Sequence, residues 1–356
     1  MGLGNLLLIP GLGVVAPTIT DQPDSIEVYE SQTATFTVTA TGTGLSYQWQ
    51  KSDNAGVDWS NISGATSSSY TTAATVRTTD NDDQFRCVVT NSAGTVNSNA
   101  ATLTVWNPLA LGADLACWLD PSSGIFTERT GASATTAATN GDPVGTWRAR
   151  NGTINGIAGT DAQRGIYRAT GVNGTPGLEF DGTDDLLDFT TDLAAIFRNK
   201  AFGYIFAAVR CKAKTTQMLP IIVNGGTGNG RALIVANRGG ISRDLGAGGR
   251  RLDADSFAVA NLALAYTDLE AFVVGGEFLW STSDCHLRKN NARIASNTSF
   301  QTNGNTSDTA SSSVLVGSAH QGFLGHVVLT CPSAAHDTTT LGKIEGFINY
   351  KSGSIY

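Results

Sequence analysis

The stretch GTPGLEFDGTDDLLDF, residues Gly174 to Phe189, decides the fold class of this chain. Leu178 and Phe180 alternate with polar residues, and this period of two predicts a half-buried β-strand. Asp181-Gly182 predicts a turn, because glycine tolerates a positive φ and aspartate hydrogen-bonds its own backbone. Apolar residues resume after the turn and predict a second strand, which would form a hairpin with the first. The stretch therefore indicates a β-protein with Phe180 in its core.

The composition agrees with an all-β chain. Only 15% of the 356 residues are charged and 41 are glycines, which disfavours long helices and suits short strands joined by tight turns. The net charge of −7 argues against a nucleic-acid partner, because such binding needs a basic face. No run approaches the roughly 18 apolar residues of a membrane span, so we expect no membrane partner.

Residues 1–17 predict an apolar N-terminal arm. A secretory signal is not expected, because no basic segment precedes the apolar run and Pro10-Gly11 interrupts it. An isolated apolar tail would fray, so we expect the arm to pack against a scaffold, a sister subunit or its own domain. The predicted assembly interface consists of the apolar side chains Leu6, Leu7, Leu8, Ile9 and Leu12.

Residues 18–105 contain short alternating runs at intervals of about 8–12 residues, the pattern of an all-β sandwich with Trp49 in its core. Trp49, followed by FRC ending at Cys87 and VVTNSAG, resembles an immunoglobulin-like domain of the bacterial and phage type. Val38 stands where that family has its first inter-sheet cysteine, so Cys87 has no partner within the domain. The resemblance implies a spacer or adhesion module. Residues 106–112 are predicted to be a linker.

Residues 113–356 form the second predicted domain. Trp118 in CWLDPSSG and Trp147 in DPVGTWRARNG precede the FDGTDD turn. This order resembles the concanavalin A-like (laminin-G-like) jelly rolls of bacterial and bacteriophage surface proteins. The resemblance implies a two-sheet sandwich whose structural core includes Trp118, Trp147 and Phe180.

The last part of the chain predicts a short closing helix between Thr338 and Lys351. A threonine is expected to cap its start and Gly353 to end it. Its apolar residues fall on one stripe, which is expected to face the core: Leu341, Ile344, Phe347 and Ile348.

Jelly rolls related to this one include glycosidases, which use two carboxylates about 5–5.5 Å apart. On one strand, such a pair needs i, i+2 or i, i+4 spacing. Glu179 and Asp181 have that spacing, but Asp181 belongs to the predicted turn. The glutamates of the second domain stand apart from one another: Glu128, Glu179, Glu270, Glu277 and Glu345. The sequence therefore predicts that the protein is not an enzyme and has no catalytic residues, metal ligands or cofactor.

Two patterns leave alternatives open. The acidic residues of the turn offer oxygen ligands to a hard cation such as calcium, or they serve turn geometry and solvation; they are Asp181, Asp184, Asp185 and Asp188. The five cysteines lack CxxC spacing, and an odd number leaves at least one free or bonded to another chain. They are Cys87, Cys117, Cys211, Cys285 and Cys331. We expect the acidic residues to serve turn geometry and solvation. We expect most of the cysteines to be buried thiols, with an intermolecular disulfide as the alternative.

Taken together, these features predict a non-enzymatic accessory structural protein of a tailed-bacteriophage virion. The protein would be a capsid decoration or a head/neck fibre. Its N-terminal arm would dock it on the particle, and its jelly roll would be displayed as a lectin-like domain. The expected partners are other virion proteins of the capsid or neck, further copies in a homo-oligomer, and a cell-surface glycan. The expected location is the virion, assembled in the host cytoplasm. The alternative is a glycan-binding adhesin or a receptor-binding tail protein.

Overall fold

The computed structural model describes residues 13–152, 154–189, 193, 196–197, 200–212, 218–223, 232–236, 243–249, 258–263, 265–299, 314–317 and 320–356. The chain divides into two compact units, Met1–Asn107 and Pro108–Tyr356. Both units are built from β-sheets, and a helix ends the second, so the predicted all-β class with a short C-terminal helix is confirmed.

The first unit is an immunoglobulin-like sandwich. Its elements are β1 (Thr18–Asp21), β2 (Ile26–Tyr29), β3 (Thr35–Thr37), β4 (Thr39–Thr41), β5 (Ser46–Ser52), β6 (Ser60–Asn61), β7 (Ser69–Thr71), α1 (Arg77–Asp80), β8 (Gln84–Asn91), β9 (Gly94–Asn97) and β10 (Ala101–Trp106). One sheet has the order β2-β10-β8-β5-β6, with β9 paired to β8. The pairs β1-β4 and β3-β7 complete the sandwich.

Trp49 organises the core of the first unit. Its side chain is fully buried, and its indole N–H donates to the carbonyl of Ser67 at 3.0 Å. Trp49 lies opposite Cys87 in the β5–β8 ladder, and Val38 belongs to the same buried cluster. The Cys87 thiol is free, so aromatic and aliphatic packing stabilises this sandwich without a crosslink between its sheets.

The second unit contains seventeen described strands and a closing helix. They are β11 (Leu115–Leu119), β12 (Ile125–Phe126), β13 (Thr146–Arg148), β14 (Asn155–Ile157), β15 (Ile166–Val172), β16 (Thr175–Asp181), β17 (Leu187–Asp188), β18 (Phe202–Cys211), β19 (Met218–Val223), β20 (Ala232–Ala236), β21 (Leu245–Gly249), β22 (Ala258–Leu262), β23 (Ala271–Leu279), β24 (Asp284–Lys289), β25 (Ala292–Asn297), β26 (Val314–Val316), β27 (Gln321–Thr330) and α2 (Thr338–Lys351).

Two large sheets form the jelly-roll-like sandwich of the second unit. The eight-stranded sheet has the order β15-β16-β27-β18-β23-β24-β25, with β11 paired to β27. The nine-stranded sheet has the order β12-β13-β14-β17-β26-β19-β20-β21-β22. One hydrophobic cluster takes side chains from both sheets, including Trp147, Phe180 and Phe278. Burial of this shared apolar surface holds the two sheets together.

The turn at Asp181-Gly182 corrects one sequence-based expectation. The strands on its two sides do not pair: β16 lies in the eight-stranded sheet, whereas β17 lies in the nine-stranded one. Gly182 has a φ of 81°, as the turn requires. The chain crosses between sheets here because Phe180 and Leu187 must both reach the core that separates them. The hairpin is instead β15–β16, turned at Asn173-Gly174.

Helix α2 runs over the predicted residues, and its apolar stripe is buried: Leu341, Ile344, Phe347 and Ile348. Its N-cap is Asp337 rather than a threonine, and the Asp337 carboxylate accepts from the Thr340 N–H at 2.7 Å. A carboxylate suits this position because it also interacts favourably with the positive end of the helix dipole. Among the described residues, no helix combines the length and apolar character needed to cross a bilayer.

Candidate functional site

The structure places the sequence-predicted residues in two classes. Trp49, Trp118 and Trp147 have no exposed surface, and Phe180 is 1% exposed, so these four lie in the cores of their units. The predicted assembly interface lies outside the described residues: Leu6, Leu7, Leu8, Ile9 and Leu12. The chain can be followed from residue 13, and Val15 is held on the first unit, since its carbonyl accepts from the Asn91 amide and the Thr43 N–H.

Asp120 fixes the loop that follows β11. Its carboxylate has no exposed surface and accepts from the hydroxyl and backbone N–H of Ser122 at 2.5 and 2.9 Å. Its backbone carbonyl accepts from the Trp147 indole N–H at 3.3 Å and from the Ser123 N–H at 3.1 Å. A loop held at both the side chain and the backbone of one residue is rigid.

Arg150 and His326 complete a buried network behind this loop. The Arg150 Nη1 lies 2.9 Å from Asp120 Oδ2, and the guanidinium stacks 4.7 Å from the Trp118 ring centre. Burial alone would raise the pKa of Asp120, but His326, Ser122 and Arg150 together hold that pKa below its usual value. Burial lowers the pKa of His326 to about 4, so the imidazole is neutral at pH 7.

A serine, a histidine and an aspartate thus lie near one another, but not in the geometry of nucleophilic catalysis. The Ser122 hydroxyl donates to Asp120, and the Trp118 indole N–H lies 3.5 Å from His326 Nδ1. In a catalytic triad the histidine lies between the other two and takes the serine proton. The arrangement here positions a loop, because every member is bound to a structural partner.

The loop forms one wall of a small cleft in the second unit. The cleft has a volume of about 120 Å³ and is lined by residues 121–126, Ala137, Ala138 and Tyr167. Tyr167 comes from β15 and the main wall from the loop after β11, some forty positions earlier in the chain. None of the nine lining side chains carries a charge at neutral pH. The cleft therefore suits a small, uncharged ligand.

Arg148 holds the aromatic wall of this cleft in place. Its guanidinium lies 4.5 Å from the ring centre of Phe126. Its Nη2 donates to the carbonyls of Gly131, Ala132 and Ala134 at 3.0–3.1 Å, and its Nε donates to Asn155 Oδ1 at 3.2 Å. Because these bonds occupy Arg148 within the protein, its guanidinium serves to position Phe126.

Two residues of the cleft, Ser123 and Tyr167, have hydroxyl groups that receive no hydrogen bond from the described part of the chain. Ser123 Oγ is buried, and no described residue hydrogen-bonds to it. No hydrogen bond from the described part of the chain reaches the Tyr167 hydroxyl, whose pKa is raised by burial and by the charge of Asp120. A buried hydroxyl without a partner is costly, and the Ser123 hydroxyl carries that cost within the fold. Tyr167 is only half-buried, so water can hydrogen-bond its hydroxyl.

The acidic turn forms a separate cluster. Carboxylate oxygens of Asp181, Asp184 and Asp185 lie within 4.8 Å of one another. Backbone bonds account for much of this geometry, since Asp185 Oδ2 accepts from the Asp181 N–H and Asp181 Oδ1 from the Thr183 N–H. Burial raises the pKa of Asp185 to about 6, with further contributions from neighbouring carboxylates. Turn geometry explains this cluster, and we assign no metal to it.

The glutamates of the second unit are bound by cations or backbone. Glu179 accepts from Arg168 at 2.7 Å and from Lys212 at 3.4 Å, and Lys289 binds Glu270. The remaining bonds pair Glu277 with Arg288 and Arg293, Glu345 with Arg288, and Glu128 with the Thr136 N–H. The structure therefore brings none of these glutamates together as a free pair within the described residues.

No disulfide joins any of the five cysteines, all of which lie in the described part of the chain. Cys87, Cys117, Cys211 and Cys285 are buried, whereas Cys331 is partly exposed and donates to the Ile196 carbonyl at 3.0 Å. Buried thiols were the predicted state for most of them. Whether Cys331 pairs with another chain stays a prediction.

Sequence reasoning found the two tryptophan segments but not the cleft beside them. The sequence patterns did not single out Ser123, Phe126 or Tyr167. One available signal was the WRAR segment, in which Arg148 and Arg150 alternate with the buried residues Trp147 and Ala149.

Comparisons with known proteins match parts of this chain. Residues 18–107 match a family model described as a domain of unknown function, DUF8696. Endoglucanase C of Cellulomonas fimi is 40% identical over 91 residues, which is 25% of this chain. The match spans only 8% of that enzyme's length, so its activity does not transfer to this chain.

Solved structures share parts of the architecture. A chimeric titin Z1Z2 carrying a decorin peptide is 26% identical, with 27% of this chain and 98% of that chain covered at a TM-score of 0.21. The Ruminococcus gnavus IT-sialidase CBM40, bound to α2,3-sialyllactose, is 16% identical, with coverages of 45% and 92% and a TM-score of 0.36. The strand pairings themselves establish the architecture: an immunoglobulin-like sandwich followed by a second, sheet-rich sandwich.

Proposed function

We propose that this protein is a non-enzymatic binding and display protein, in which the immunoglobulin-like unit carries a lectin-like jelly roll. The main support for the proposal is that the glutamates of the second unit are already bound to other groups of the protein. A retaining glycosidase needs two carboxylates about 5–5.5 Å apart, one of them free to attack and one free to donate a proton. The glutamates described above are each engaged by an arginine, a lysine or a backbone N–H.

Asp185 is the residue that most needs testing against this proposal. It combines a raised pKa with a neighbouring carboxylate, which are features of a general acid. However, its Oδ2 is bound to the Asp181 N–H in the same turn, and Asp181 in turn binds the Thr183 N–H. Both carboxylates therefore stabilise the turn that leads from β16 in one sheet to β17 in the other.

The test is hydrolysis of defined polysaccharides. The purified chain should release no reducing ends from cellulose, xylan, pectin or peptidoglycan above a buffer control over a day, and Asp185→Asn should behave in the same way. A commercial glycosidase on the same substrates provides the positive control. Turnover by the wild-type chain that Asp185→Asn abolishes would contradict the proposal.

We propose that this protein acts on a tailed-bacteriophage virion, as a capsid decoration or a head/neck fibre. The support is the sequence of the apolar arm and the resemblance of both units to phage surface domains. Deletion of residues 1–13 should abolish association with particles while both units still unfold cooperatively. Replacement of the same residues by a Gly/Ser segment of equal length is the matched control, and retained association of either variant would contradict docking by the arm.

A second candidate function is a glycan-binding adhesin or receptor-binding tail protein. The uncharged cleft between the loop after β11 and Tyr167 favours it, because protein sites for small ligands combine aromatic surface with a few polar groups. Both candidates share the non-enzymatic display of the jelly roll, and they differ in what holds the chain in place.

A further inference from the structure

We infer that the loop between β5 and β6 is a self-association surface, at which two copies of the immunoglobulin-like unit meet in a weak two-fold contact. The loop comprises residues 53–59, with Val57 at its tip. The inference goes beyond the proposed function, because it concerns a contact between copies that involves neither the apolar arm nor the jelly roll. Its support is the exposure of the tip, the rigidity of the loop and the placement of two opposite charges.

Val57 exposes a larger fraction of its surface than any other large apolar residue in the described part of the chain. The exposed fraction is 77%, against 60% for the next, Val15. Trp59 is only partly buried, and the Arg86 guanidinium stacks 4.2 Å from its ring centre. Tryptophan and arginine are enriched among the residues that contribute most to protein–protein binding. An apolar tip beside this stack therefore has the composition of a protein-binding surface.

The loop is held in one conformation before any partner binds. Asn54 crosses it, since its Oδ1 accepts from the Asp58 N–H and its Nδ2 donates to Asp58 Oδ2, each at 2.9 Å. The Trp59 indole N–H donates to the Gly56 carbonyl at 3.0 Å. Ala55 has a φ of 56°, a left-handed conformation that residues with a Cβ rarely adopt, so the loop also stores local strain. Because the loop is already ordered, binding costs it little conformational entropy.

Two opposite charges next to the tip make this surface complementary to itself. Arg86 donates from Nε to Gln50 Oε1 at 2.8 Å, and no described residue accepts from its two Nη groups. Asp58 Oδ1 likewise receives no hydrogen bond from the described part of the chain, since Asn54 binds the other oxygen. In a two-fold contact the same patch meets itself, so Asp58 of each copy can face Arg86 of the other. The contact then contains two ion pairs around the apolar tips.

Shape and charge together select a second copy as the occupant. An exposed loop tip cannot enclose a sugar or a cofactor, because sites for small ligands are concave. Asp53 and Asp58 give the loop two carboxylates, which disfavour an anionic lipid surface or a nucleic acid. A second copy supplies apolar surface for Val57 and a carboxylate for Arg86 at the same time. The patch is small, so the contact is weak and gains strength only where many copies are held close together.

Sedimentation equilibrium of the full-length chain measures this self-association, in reducing buffer so that disulfide dimers do not contribute. We expect a dissociation constant between about 0.1 and 1 mM, as befits a small, transient interface. Val57→Asp should weaken the association by more than about tenfold, because it brings two unpaired carboxylates into the contact. Val76→Asp is the matched control and should leave association unchanged, since Val76 is an exposed valine of the same unit outside the loop.

A pair of charge reversals tests the two-fold geometry. Arg86→Glu and Asp58→Lys should each abolish self-association, because each places like charges opposite one another. An equimolar mixture of the two variants should associate again, because each altered charge then faces its opposite. Mixing cannot repair a misfolded loop, so this recovery reports the contact itself. Thermal unfolding of each variant alone checks that the first unit still folds.

Four results would overturn the inference. They are a wild-type chain that stays monomeric up to about 1 mM, association that is unchanged in Val57→Asp, no recovery in the mixture although both variants fold, or flotation with phosphatidylglycerol vesicles that Val57→Asp abolishes. Association through the apolar arm would give the second result, and insertion of the tip into a membrane would give the fourth. None of these results bears on hydrolysis of a polysaccharide, so this inference and the proposed function can fail separately.

Discussion

Arg288 on β24 and Glu345 on helix α2 form an ion pair in which Nη2 and Oε2 are 2.6 Å apart. Glu345 has no exposed surface and Arg288 is 8% exposed, so the pair is buried where the closing helix packs on the eight-stranded sheet. Glu277 accepts from both Arg288 and Arg293, which makes a network of two cations and two anions. The helix is thus attached to the sheet by charge as well as by its apolar stripe.

Removal of Arg288 should destabilise the second unit strongly. Arg288→Met leaves Glu345 buried without its cation, and a broken buried pair typically costs about 3–5 kcal/mol. The double variant with Glu345→Leu removes both charges and should be more stable than the single variant. Chemical denaturation measures these differences. Arg129→Met, which breaks the exposed pair with Asp161, is the control and should cost less than about 1 kcal/mol; an equal loss in both single variants would contradict the prediction.

The stability of the second unit should depend on two titrations of opposite sign. His326 has a folded-state pKa of about 4, below the ordinary 6.5, so the unfolded chain takes up this proton first and stability falls between pH 6.5 and 4. Asp185 has a folded-state pKa of about 6, above the ordinary 3.8, so its protonation favours the folded state and stability rises as the pH falls from 6 to 4.

Because the two titrations oppose each other, single variants should separate them. Asp185→Asn keeps an acceptor for the Asp181 N–H and removes the charge, so acidification from pH 7 to 4 should lower its stability more than that of the wild type. His326→Gln should show the reverse, with stability rising toward pH 4. Urea denaturation at half-unit pH steps measures both slopes. Parallel pH profiles for the three proteins would refute this account.

The thiols should differ sharply in reactivity. Burial raises the pKa of Cys87 to about 11 and of Cys211 to about 12, and it also raises that of Cys285. Thiolates are the reactive form, so these buried groups should resist a thiol reagent such as DTNB until the chain unfolds. Cys331 should react slowly in the native protein, because it is partly exposed but its pKa is also raised by burial.

Cys331→Ser tests this assignment. It should abolish labelling of the native protein, and it should remove any dimer seen on non-reducing gels. A dimer that persists in Cys331→Ser would show that another cysteine forms an intermolecular disulfide. Equal labelling of the native variant and wild type would contradict the assignment of Cys331 as the accessible thiol.

Gly322 should not tolerate a side chain. It has a φ of 140°, and a Cβ at this position would clash with the backbone carbonyl of Arg210 on the neighbouring strand. Gly322→Ala should therefore cost at least about 3 kcal/mol, from the close approach together with backbone strain. Gly141→Ala is the matched control, because Gly141 also has a positive φ, of 97°, but open space around it. Thermal unfolding should show a clearly smaller loss for the control.

Much of the architecture could be predicted from local patterns. Alternation around Phe180 indicated a half-buried strand, and the stripe from Leu341 to Ile348 located the closing helix, because both periods depend only on backbone geometry. Valine at position 38, where immunoglobulin-like domains have their first inter-sheet cysteine, indicated a sandwich without a disulfide between its sheets. The N-cap of the closing helix was wrongly predicted to be a threonine. Asp337 and the threonines after it all carry side-chain oxygens that can cap a helix, and the backbone conformation of the folded chain makes Asp337 the N-cap.

By itself, the sequence determined the β-strand periodicity, the buried tryptophans and the apolar closing helix, because these follow from the spacing of residues along the chain. Tertiary structure alone decided that Asp181-Gly182 joins two sheets instead of closing a hairpin, because strand partners are chosen by packing between distant segments. It also decided the cleft, since Ser123 and Tyr167 become neighbours only when β15 and the loop after β11 meet. No local pattern records that distance, and the burial that leaves the Ser123 hydroxyl without a partner exists only in the folded chain.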